Sequence, residues 1–94
     1  MTNQREFVHR FVDNSEEGTL SIDVLPDAPA EIEFKVESNG NIWISASRAG
    51  WLHLARVVAE LGLASYEPGY HFHVDRQFRP SSGAGPEVTF EIAD

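Results

Sequence analysis

The sequence predicts an α+β fold: a mostly antiparallel sheet of five to six strands with one amphipathic helix, at about residues 48–61, packed on one face in the order ββββαββ. Three observations predict it. Short segments alternate apolar and polar side chains, as half-buried strands do. One stretch switches to the helical period. Asn39-Gly40 stands between two alternating runs, the strongest short signal for a hairpin. At 94 residues the chain makes one domain, 1–94, with a single modest core.

Taken in order, "EFVHRFV" at 6–12 reads as a strand whose inward face is undecided, because Phe7, His9 and Phe11 compete with Val8, Arg10 and Val12. "TLSIDVL" at 19–25 alternates cleanly, with Leu20, Ile22 and Val24 on one side. After the break at "PDAP", "EIEFKVE" at 31–37 sends Ile32, Phe34 and Val36 inward and Glu31, Glu33, Lys35 and Glu37 outward. A type I′ turn at Asn39-Gly40 returns the chain into "NIWISA" at 41–46. There Ile42, Ile44 and Ala46 are expected on the core face, with Trp43 and Ser45 on the other.

"SRAGWLHLARVVAELG" carries the helical period. Trp51, Leu54, Ala55, Val58 and Leu61 form its apolar stripe, and His53, Arg56 and Glu60 lie opposite, toward solvent. Ser47 is placed to cap the first turn and Gly62 to end the last in a left-handed conformation. On this stripe Trp51 is a core residue. "GYHFHVD" at 69–75 and "PEVTFEIA" at 86–93 read as closing strands, joined by a flexible connector, "RQFRPSSGAG", at 76–85.

One helix covers one face of such a sheet, so the second face meets water unless a partner covers it. That face collects Trp43, Glu31, Glu33, Glu37, Asp23, Glu91, His71, His73 and Asp75, a large aromatic among carboxylates, which is how a binding hot spot looks. Fifteen acidic against seven basic side chains leave a charge of −8, which repels nucleic acid and anionic lipid and favours a basic protein partner. No cysteine is present, which removes disulfides and thiolate chemistry together. The start of the chain lacks a signal-peptide pattern and no segment has the apolar length of a bilayer span, so a cytoplasmic location is the expectation.

"YHFHVD" also poses a metal question. His71 and His73 lie about 6.6 Å apart along one strand face, close enough to share a Zn²⁺ or Fe²⁺. Asp75 is about 13 Å from His71 on a straight strand and cannot join them, so a third ligand has to come from elsewhere, Glu91 first and His9 next. Plain strand alternation accounts for the same spacing without any metal. The expectation is therefore no cofactor and no catalytic residue. A metal-binding domain or small metal-dependent enzyme on His71, His73 and Glu91 is the alternative, and a homodimer of unknown role a further one.

The helix "GWLHLARVVAEL", the following "GYHFHVD" and the terminal "PEVTFEIAD" resemble the C-terminal half of the immunity protein 32 family of bacterial polymorphic toxin systems. The likeness covers roughly half the chain and is carried by Gly69, His71 and His73. It implies a non-catalytic protein that binds a cognate toxin and blocks it.

Overall fold

The computed structural model describes residues 3–83 and 85–93; Met1, Thr2, Asp94 and Ala84, the last within the 76–85 connector, lie outside the described residues. The elements are β1 (Ile32–Val36), β2 (Ile42–Ala46), α1 (Arg48–Leu63), β3 (His71–Val74) and β4 (Val88–Glu91), preceded by a short 3₁₀ turn at Ser15–Glu17. β1 pairs antiparallel with β2, and β3 with β4, in two separate two-stranded sheets. The expected sheet of five to six strands is thus corrected. The two hairpins meet where Phe34 N donates to Arg76 O at 2.7 Å, and their apolar faces share one core.

Neither expected N-terminal strand forms. In 19–25 the alternation is real as burial, since Leu20, Ile22 and Val24 pack against the core, but side chains and not a neighbouring strand satisfy the backbone. Ser21 N donates to Glu60 Oε1 at 2.8 Å, His53 Nε2 donates to Val24 O at 2.8 Å, and the Tyr66 hydroxyl donates to Thr19 O at 2.6 Å. Segment 6–12 is irregular as well, tied down where His9 Nε2 donates to Glu60 Oε2 at 2.7 Å. Period-two burial therefore reported a bent, irregular segment lying on the core, with α1 and its exit supplying the polar partners.

Those partners turn α1 away from its expected orientation. Its buried residues are Gly50, Val57 and Glu60, with His53, Leu54 and Leu61 half-buried, whereas Trp51 is 45% exposed and Val58 is exposed. The buried stripe is displaced by one residue from the apolar one, a rotation of about 100°. Gly50 sets it. A Cβ at Gly50 would fall inside contact distance of the Glu31 carbonyl, so a glycine must face Glu31, the residue before β1, at this close approach. Ser47 locks the junction: its Oγ accepts from Gly50 N and Glu31 N, each at 3.0 Å, and its own N donates to Glu31 O at 3.0 Å. The expected Ser47 cap is present. Gly62 does not end the helix, which continues to Leu63 and is capped by Ala64 in extended backbone.

The core is Ile32, Phe34, Val57, Val74 and Phe78. Phe78 belongs to the connector read as flexible. It is fully buried with φ at 58°, a left-handed conformation uncommon for a bulky residue, held by edge-on packing against His53 and Phe90 and by contact with Phe34. The β1–β2 hairpin forms as expected but through a different turn. Glu37 N donates to Asn41 O at 2.8 Å and Gly40 N to Glu37 O at 2.9 Å, which leaves a three-residue loop with Gly40 alone at positive φ.

Candidate protein-binding face

Register places the outer face of the first hairpin residue by residue. Glu33 pairs with Ser45 and Lys35 with Trp43, so Glu31, Glu33, Lys35 and Glu37 share one face with Trp43 and Ser45. Trp43 is 62% exposed, and its indole N–H donates to Glu37 Oε1. The indole is thereby held by a carboxylate while its rings remain open to solvent. The connector after β3 does not cover it. Lys35 interrupts the acidic row, leaving three carboxylates and one ammonium along β1, a lesser negative charge than the expected set implied.

The opposite face of this hairpin departs from expectation. Ile32 and Phe34 enter the core, but Val36 and Ile42 are exposed, the latter at 69%, and Ile44 is 43% exposed. The hairpin extends past the core that covers its base, so apolar side chains at its tip have no neighbour to bury them. The sequence signal for this was present in strand length. "EIEFKVE" and "NIWISA" offer more inward positions than one helix of this size can cover.

His71, His73 and Glu91 lie on the other sheet, apart from Trp43. Glu91 stands opposite His71, as expected of the nearest third ligand, and Thr89 stands opposite His73. The two imidazoles are edge to face with centroids 5.0 Å apart. His71 Nδ1 donates to Gly69 O at 2.8 Å, which fixes its tautomer, and His73 Nδ1 shares a hydrogen bond with Thr89 Oγ1 at 2.8 Å. Glu87, not singled out from the sequence, lies 3.8 Å from His73 Nδ1. Among the described residues no three His, Asp or Glu side chains converge as a ligand set for a metal ion.

Asp75 has a local role. Its Oδ1 accepts from Gln77 N at 2.8 Å and Arg79 N at 3.0 Å, and the backbone bond from Arg79 leads the causes that hold its carboxyl below the ordinary value. It shapes the turn that delivers Phe78. Asp23 is exposed on the bent 19–25 segment and is part of neither sheet. The single open face expected from the sequence is therefore divided: Trp43, Glu31, Glu33 and Glu37 on one hairpin, His71, His73 and Glu91 on another, Asp75 in a turn and Asp23 on the arm.

Beside β1, an open groove of about 640 Å³ runs between Glu33–Glu37 and the turn carrying Asp75, Arg76 and Arg79. Its charges of both signs make it a poor match for a single anionic or cationic small ligand. No helix among the described residues is long and apolar enough to cross a membrane. Comparison of the chain with protein-family models, curated proteins and solved structures finds no match to any of them.

Proposed function

We propose that this protein is a non-catalytic binding module that occupies a basic surface on another protein, in the manner of an immunity-type inhibitor blocking a bacterial toxin in the cytoplasm. The observation that carries this reading is Trp43, 62% exposed and tethered by Glu37 in a row with Glu31 and Glu33. An exposed tryptophan beside carboxylates is the kind of residue that anchors interfaces, and it supplies buried area at few rotamers. The carboxylates around it speed encounter with a cationic surface. The overall charge of −8 acts in the same direction at longer range.

The test is kinetic and uses the intact protein against basic proteins, beginning with those encoded beside it. Glu31→Lys with Glu33→Lys slows association and flattens the salt dependence. Trp43→Ala speeds dissociation instead, because its loss removes contact area without changing charge. The double lysine variant avoids Glu37, whose exchange would also free the indole. A partner whose affinity ignores salt, the lysines and the loss of Trp43 overturns the assignment.

A further inference from the structure

The β1–β2 pairing leaves one edge of β2 unpaired, and its hydrogen-bonding phase can be read from the bonds at its ends. Glu37 N donates to Asn41 O, and Ser47 N donates to Glu31 O. Bonded and non-bonded pairs alternate in an antiparallel ladder, so Lys35↔Trp43 and Glu33↔Ser45 are bonded pairs, while Val36↔Ile42 and Phe34↔Ile44 are not. Phe34 N agrees with this phase, since it points away from β2 and donates to Arg76 O. The N–H and C=O groups of Ile42 and Ile44 therefore point away from β1, and among the described residues they have no protein hydrogen-bond partner.

Exposed edges are ordinarily guarded by charge, proline or bulges, because they otherwise template pairing with another chain. The outer strand of the second hairpin has such guards: Pro86 and Glu87 precede β4, and Glu91 lies within it. β2 reads Ile-Trp-Ile-Ser-Ala, without a charge, a proline or a bulge. Its two faces differ in what they would accept. On one, Val36, Ile42 and Ile44 are exposed and apolar. On the other, a side chain directly across from Trp43 would lie about 5 Å away, within reach of the indole face and of the carboxylate of Glu37 bound to it.

We propose that the open edge of β2 receives an extended segment of the partner protein, one that alternates apolar and basic residues. Its backbone pairs with Ile42 and Ile44, its apolar side chains cover Ile42 and Ile44, and its arginines or lysines stack on Trp43 and reach across it toward Glu37 and Glu33. This mode of recognition, addition of a strand to a sheet edge, draws affinity from main-chain bonds and specificity from alternate side chains. Charge complementarity selects the occupant. A second copy of this chain would bring an identical acidic row onto the same sheet face, whereas a basic strand neutralises it. The inference rests on the acidic-face reading above and adds the backbone mode by which that face is engaged.

The probe is a short synthetic peptide alternating valine and arginine, added to the 94-residue protein and followed by amide NMR shifts and hydrogen exchange. The expected result is that the Ile42 and Ile44 amides shift and gain protection, while those of Trp43 and Ser45, already bonded to β1, keep theirs. Methylating the peptide nitrogens along one edge weakens binding by on the order of tenfold or more, as loss of two backbone bonds implies. Ile42→Pro, which removes an outward N–H without breaking the β1 ladder, weakens it comparably.

If the peptide binds but tolerates methylation on either edge, strand addition is wrong and the acidic face stands. If a valine–threonine peptide binds equally well, the charge requirement fails, and the acidic-face reading fails with it. Protection of Ile42 and Ile44 that rises with protein concentration alone, with a dimer in sedimentation, overturns the proposal in favour of self-pairing. Absence of any shift at Ile42 and Ile44 overturns it outright.

Discussion

Replacing Gly50 and Gly62 by alanine, one at a time, should change stability in opposite directions, although both residues lie within α1. Alanine is favoured over glycine in a helix interior by about 1 kcal/mol, chiefly through backbone entropy. At Gly62 nothing lies within 4 Å of an added methyl, so that gain is realised. At Gly50 the methyl meets the carbonyl of Glu31 and approaches Ala46 Cβ at 3.2 Å. The carbonyl cannot retreat freely. It accepts from Ser47 N, while Glu31 N donates to the same Ser47 Oγ that caps the helix. Separating the helix from Glu31 weakens the two bonds between Glu31 and Ser47, worth about 1 kcal/mol each, while the cap stays with the helix. Set against the propensity gain of about 1 kcal/mol, the net loss is about 1 kcal/mol. For a domain of this size Tm falls by about 4–8 °C for Gly50→Ala and rises by up to about 4–8 °C for Gly62→Ala. Thermal and urea melts followed by circular dichroism read both. If Gly50→Ala proves as stable as Gly62→Ala, the helix does not pack on Glu31 at Gly50 and the rotation assigned to α1 is wrong.

The fully buried Phe78 should lose about 3–5 kcal/mol on change to alanine, while the half-exposed Trp51 loses well under half as much; equal losses in urea melts would return Trp51 to the core. Glu60, 1% exposed and the acceptor for both His9 and Ser21 N, should cost about 3 kcal/mol when changed to alanine, because two hydrogen bonds to a buried carboxylate are lost. Glu60→Gln keeps an oxygen for Ser21 N and should cost less, and equal urea midpoints for the two variants would contradict the role given to that carboxylate. Desolvation, aided by nearby Tyr70 and acidic groups, raises the Tyr66 hydroxyl to about 12. Its folded value lies above the ordinary 10.0, so its contribution to stability is complete below pH 10 and is lost as pH rises toward 12. Tyr66→Phe should remove that component of alkaline unfolding, and an unchanged alkaline transition in the variant would exclude it.

What the sequence made legible follows from which signals are local. Asn39-Gly40 between alternating runs located the hairpin, Ser47 located the helix start, and the His-x-His run located β3, because each depends on a few neighbouring residues. The sheet of five to six strands failed because alternation records burial and cannot say whether the neighbour is a strand or a helix side chain. Segment 19–25 is the instance: its period is two, yet its polar partners are Glu60 and His53. The orientation of α1 failed for the same reason in reverse. Polarity placed Glu60 and His53 outside, whereas donors and an acceptor in the arm draw them toward the core. For the site, alternation correctly placed Trp43 beside Glu33 and Glu37. It could not show that the histidines belong to a different sheet, since sheet membership is set by long-range pairing.

The manner in which residues 3–25 are fastened bears on the order in which the molecule assembles and comes apart. Every anchor named for this arm reaches α1 or the residues just beyond it: His9 and Ser21 to Glu60, Val24 to His53, Thr19 to Tyr66, and Asp13 to Ser65. These contacts join positions 29 to 52 residues apart, so closing them carries a loop-entropy cost that the hairpin and helix at 32–63 do not incur. The arm has no docking surface until α1 exists, which makes hairpin and helix the early structure and the arm the last to settle. In the native state the same asymmetry makes the arm the first unit to open, and proteases should reach its chain while the β1–β2 amides remain protected.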